Sequence, residues 1–109
     1  MQNPNVKGIL VFTTGAVLEH KKSDGMSKHN CYCYWDTGRR PTRLDCETNE
    51  CRLYMAVSCQ VKGYFIIDSI ESILDDNRYR LIFYSESWVE IANGEELIPS
   101  QGWRYYLHV

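Results

Sequence analysis

The sequence predicts an α+β domain that is mostly β, a small barrel or strongly bent sheet with one or two short helices. Three observations carry this. Six or seven short segments rich in Val, Ile, Tyr and Phe, separated by turn residues, fill a chain of 109 residues. Tyr64, Phe65, Ile66 and Ile67 make both faces of one segment apolar, as in a central strand of a closed or covered sheet. Closure also removes the exposed edges that many short strands would otherwise present. A β-sandwich is the alternative arrangement.

The elements follow in order. Residues 7–13 are β-branched and apolar and end at Thr14-Gly15, a first strand followed by a turn, with a short helix beginning at residues 16–18. Residues 19–30 are polar and charged around Gly25 and read as a long loop. Residues 31–35 form a short strand with Cys31, Cys33 and Trp35 on one face and Tyr32 and Tyr34 on the other. A second loop, residues 36–50, contains Gly38 and Pro41. Residues 52–58 and 60–68 predict a hairpin turning near Ser58-Cys59, without the glycine that a tight turn favours.

Asp68, three residues before Glu71, resembles a capping box, and Ile70, Ile73 and Leu74 then share one side of a helix over residues 69–75. Strands are expected at residues 78–84 and 88–92, and Asn93-Gly94 predicts a hairpin into residues 95–98. In the last strand, residues 102–108, Trp103, Tyr105 and Leu107 face one way and Arg104, Tyr106 and His108 the other.

Hydrophobic residues at 44% argue against disorder, and the length suits one domain over residues 1–109. No apolar run approaches the roughly 20 residues of a membrane helix. The polar start lacks a basic segment and a cleavage site, so a cytoplasmic location and reduced, metal-free cysteines are expected. A net charge of −2 excludes a generally basic nucleic-acid binder, yet residues 1–45 carry seven Lys/Arg against four Asp/Glu.

Cys31, Cys33, Cys46 and Cys51, with His29 or Cys59 in reserve, are the candidate thiolates for a zinc site. Cys31 and Cys33 are separated by one residue in a strand, which suits no zinc knuckle. His20, His29 and His108 fall in no nucleophile motif, and neither a phosphate loop nor a zincin helix is present. No catalytic residue and no cofactor is therefore assigned. The aromatics are more informative. Tyr32, Tyr34, Trp35, Tyr84, Trp88, Trp103, Tyr105 and Tyr106 are interleaved with Arg39, Arg40, Arg80 and Arg104, the residue types that stack on bases and hold phosphates. The same bulky aromatics also fill the interiors of small barrels.

Three stretches stand out: Tyr34-Trp35 with Arg39-Arg40-Pro41, then Arg52 through Val57 with the Val61-Lys62-Gly63 step into Tyr64, and Ser87-Trp88 with the segment from Pro99 to Tyr105. Together they resemble the PUA-like superfamily of small β-barrels, in particular its ASCH and EVE branches. The resemblance covers residues 31–106 and implies a barrel whose cleft binds RNA, a modified base or a nucleotide. Some ASCH relatives are enzymes acting on RNA or on acylated cytidine and carry a Gly-x-Lys motif near the N-terminal helix. Glu19-His20-Lys21-Lys22 occupies that region here without matching it.

The expectation is a nucleic-acid or modified-nucleobase binding domain in which Trp35, Trp88, Trp103 and Tyr105 cage a base while Arg39, Arg40 and Arg104 contact phosphate. Two other classes stand beside it. One is an ASCH-like hydrolase or nuclease using Lys21 or Lys22 with a carboxylate; the other is a zinc-stapled protein-interaction module.

Overall fold

The computed structural model describes residues 8–24, 32–39, 41–42, 44, 46, 50–73, 78–99 and 102–106. In chain order these form β1 (Gly8–Thr13), α1 (Gly15–Asp24), β2 (Tyr32–Thr37), β3 (Cys51–Val57), β4 (Gln60–Ile73) and β5 (Arg78–Tyr84). A 3-10 turn, Ser85–Ser87, then leads to β6 (Val89–Glu90) and β7 (Trp103–Tyr105). One sheet holds every strand in the order β2-β5-β4-β3-β1-β7, with β6 pairing β4 off this path. All pairings are antiparallel except β1 with β3. Among the described residues no helix is long and apolar enough to cross a membrane.

The sheet curls into a half-barrel because β4 bends. Its first half pairs with β3 through Ile67, and its second half, Ser69 to Ile73, pairs with β5. Register shifts at Met55/Ala56 and Ile67/Ser69 add twist at both ends of that path. The curl brings the two edges together: on β7 the Trp103 indole N–H donates to the carbonyl of Arg39, just beyond β2, at 3.2 Å. The predicted bent sheet or barrel is therefore found, and the sandwich is not.

The concave face holds the larger core, including Ile9, Val11, Leu53, Met55, Phe65, Leu81, Phe83 and Trp103, with Phe65 stacked on Phe83 at 4.4 Å. Leu10, Tyr54, Ala56, Val61 and Tyr106 pack together as a second cluster on the opposite side of the same strands. Burial on both sides explains the unbroken apolar runs of β1 and β3.

The β3–β4 hairpin turns at Ser58-Cys59 with φ of 52° and 68°, so two residues with side chains occupy the left-handed region that a two-residue hairpin requires. Each such residue costs about 1 kcal/mol. Replacing the pair by Asn-Gly is expected to stabilise the protein by about 1 kcal/mol, seen as a higher urea midpoint; an unchanged or lower midpoint would contradict this turn.

Three local expectations are corrected. Residues 69–73 continue β4 and are not helical, because pairing with β5 satisfies their backbone and half-buries Ile70 and Ile73. Residues 19–24 belong to α1 and not to a loop. Thr14 starts that helix by accepting the Val17 N–H on its side-chain oxygen at 3.2 Å. The Asn93-Gly94 turn exists, with Asn93 at φ 57°, but no paired strand follows. Instead residues 91–97 lie along the start of β4, tied by Ile91 N–H to Lys62 O, Val61 N–H to Glu95 O and Leu97 N–H to Cys59 O.

Candidate nucleic-acid interface

A half-barrel whose edges meet at one point leaves a seam beside that contact. Here the seam is a cleft of about 400 Å3 between β2 and β7, walled by Phe12, Trp35, Thr37 and Trp103, with Gly38 and Gly102 at its mouth. A second lobe of about 300 Å3 shares Gly38, Gly102 and Trp103 and adds Arg39.

The strand period sets the walls. Cys33, Trp35 and Thr37 lie on the inner side of β2, where Trp35 is half-buried against the core. The Thr37 hydroxyl donates to the Arg39 carbonyl at 2.9 Å, the same oxygen that Trp103 grips, so two donors fix the loop at the cleft mouth. The Arg39 guanidinium lies over the Trp103 ring, 3.9 Å from its centroid, and Tyr105 meets Trp103 edge-on at 4.9 Å. Arg104 points to the other side of β7, over Phe12 at 5.5 Å.

Asp36 also lines the cleft, but its charge is offset. Directly opposite on β5, Arg80 donates to its two carboxylate oxygens at 2.8 and 3.1 Å. That pair holds Asp36 below its usual carboxylate range. Arg39 therefore borders a cleft whose lining acid, Asp36, is already paired.

No family model matches the chain, and no curated protein matches it. Among solved structures it resembles a mutant of ZmASCH from Zymomonas mobilis, with a TM-score of 0.53 over 96% of this chain and 92% of that one, at 10% identity. The fold is that of an ASCH domain. At 10% identity the likeness is one of fold.

Within the ASCH fold the predicted site residues divide. Trp35, Arg39 and Trp103 converge on the seam cleft, with Tyr105 and Arg104 on its flanks. Trp88 does not join them. It packs on Phe65 at 4.8 Å, donates its indole N–H to Glu90 at 2.8 Å and lines a separate cleft of about 270 Å3 under α1. Arg40 lies outside the described residues. Phe12, Thr37, Gly38 and Gly102 went unpredicted; only Gly38 carried a local signal, as a loop residue.

The residues of the other two classes are also visible. Lys21 donates to the Tyr34 carbonyl at 2.7 Å, whereas Lys22 sits 3.2 Å from Glu19 and 3.9 Å from Glu90, under α1. Cys33 and Cys51 are buried in the main core and Cys59 is exposed in the hairpin turn. Among the described residues no group of three or more His, Cys, Asp or Glu is placed to hold a metal ion; Cys31 and His29 lie outside them.

Proposed function

We propose that this ASCH-fold chain binds nucleic acid or a modified nucleobase, with the seam cleft as the base pocket. The observation that supports this best is the convergence of Trp35 and Trp103 with Arg39 on one cleft beside a neutralised acid. Aromatic faces stack any base, and arginine adds charge for the phosphate, a combination suited to a single-stranded or flipped base. Arg104, on the far side of Phe12, extends the positive charge along the strand's path.

Gly38 gives a test that leaves the core alone. A Cβ at Gly38 would meet nothing within 4 Å, and its backbone is outside the left-handed region, so Gly38→Leu fills the cleft mouth without strain. Single-stranded RNA of about ten nucleotides is expected to change tryptophan fluorescence of the parent at low salt. Gly38→Leu should bind it about tenfold or more weakly, consistent with stacking worth about 1 to 3 kcal/mol per base. Its melting curve should match the parent's. Equal binding by both proteins would remove the seam cleft from the account.

A second reading, an ASCH-like hydrolase acting on RNA or modified nucleosides, is favoured by Lys22 beside Glu19 and Glu90 in the cleft that Trp88 lines. Turnover abolished by Lys22→Met would support it.

A further inference from the structure

Arg39, Arg52, Arg80 and Arg104 each lie over an aromatic ring, and they differ in their polar partners. Arg80 is bonded through two nitrogens to Asp36, and Arg52 is bonded to Glu50 at 2.8 Å and to the Tyr54 hydroxyl at 3.2 Å. Arg39 rests on a ring. Its guanidinium covers the Trp103 face at 3.9 Å, and among the described residues no carboxylate forms an ion pair with it. Arg39 is itself exposed, at the lip of the lobe it shares with Gly38 and Gly102.

We infer that Arg39 is a displaceable cover on the stacking face, so that the seam cleft selects ligands carrying a phosphate next to the base and discriminates against bare nucleosides. This rests on the base-binding reading of the cleft. Trp103 is only 6% exposed, and the guanidinium occupies the plane a stacked base would take. A base that takes that plane evicts the cation and forfeits its attraction to the ring. A phosphate on the same ligand offers the evicted guanidinium a charge-assisted, two-pronged hydrogen bond in return. A nucleoside offers none. The backbone of Arg39 need not move, because Thr37 and Trp103 hold its carbonyl whichever way the side chain turns.

The test is a fluorescence titration of the parent and Arg39→Ala with adenosine, cytidine and their 5′-monophosphates. The parent should prefer the monophosphates. In Arg39→Ala the nucleosides should bind about three- to thirtyfold more tightly, the range set by losing one cation–π contact, while the monophosphates bind more weakly and the preference disappears. Nucleoside binding unchanged or weakened by Arg39→Ala would overturn the inference. If oligonucleotide binding remains sensitive to Gly38→Leu in that case, the base-binding reading survives alone. If neither nucleosides nor nucleotides bind either protein and the oligonucleotide does not bind the parent, both fall.

Discussion

Replacing Trp103 by Ala is expected to remove about 3 to 5 kcal/mol of folding stability, the range for deleting a large buried aromatic. The side chain is buried among the residues of the main core, and its backbone pairs with Val11 on β1. Its indole N–H is also the bond that ties β7 to the loop after β2. Truncation therefore opens a cavity and releases the closure of the half-barrel in one step. Trp103→Phe keeps most of the volume and loses the donor, for which about 1 to 2 kcal/mol is expected. Urea unfolding of the two variants beside the parent checks both figures. A Trp103→Ala protein as stable as the parent would show that the ring is not part of the core. Because the stacking residue is also a core residue, binding is better tested at Gly38 and Arg39.

Gly94→Ala is expected to be the most damaging glycine substitution away from the cleft, at about 3 kcal/mol, the upper end for forcing an extra carbon into a packed site. A Cβ there would collide with the carbonyl oxygen of Val61 and lie 2.8 Å from its carbon, both backbone atoms of β4 that cannot swing aside. Residues 91–97 would have to lift. Lifting them threatens the Val61 to Glu95 bond at 2.9 Å and the Gln60 side-chain bond to the Gly94 carbonyl at 3.1 Å. It also uncovers the second cluster, against which Ile91 and Leu97 pack. Gly38→Ala is the control and should leave the urea midpoint unchanged, since its Cβ enters open space. Equal midpoints for Gly94→Ala and the parent would contradict the close approach of these segments.

The strands were legible where local pattern and partner agree. The β3–β4 hairpin was read from two adjacent apolar segments, and β5 was expected over residues 78–84; both lie where expected. Residues 69–73 show where local pattern misleads. The spacing of Ile70 and Ile73 fits a helix turn as well as it fits a strand with a bulge, and only the presence of β5 beside them decides. The extent of α1 was hidden for the opposite reason. Leu18 is the one buried side chain among its described residues, so no apolar stripe marks it, and polar contacts from Lys21 to Tyr34 and from Ser85 to the Lys21 carbonyl help to dock it. The parallel pairing of β1 with β3 leaves no local mark at all.

The candidate site was legible as residue types and not as an assembly. Trp35, Trp88 and Trp103 look alike in sequence, each an aromatic within two residues of a charged one. Which of them share a cleft depends on which strands form the edges of the sheet. β2 and β7 are those edges, so Trp35 and Trp103 meet across the seam. Trp88 follows the 3-10 turn between β5 and β6 and is carried to the side of the sheet under α1. The Asp36–Arg80 pair, which leaves Arg39 as the unpaired charge at the cleft among the described residues, likewise depends on the register of β2 against β5.

The most direct measurement of the central claim uses the three indole N–H groups of the three tryptophans as separate reporters. Nitrogen-15 correlation spectra of the parent are recorded at low salt during titration with single-stranded RNA of about ten nucleotides. The account predicts that the Trp35 and Trp103 signals shift as ligand is added while the Trp88 signal stays in place. A Trp88 signal that moves while those of Trp35 and Trp103 remain fixed would contradict it, and would put the ligand under α1 instead of in the seam.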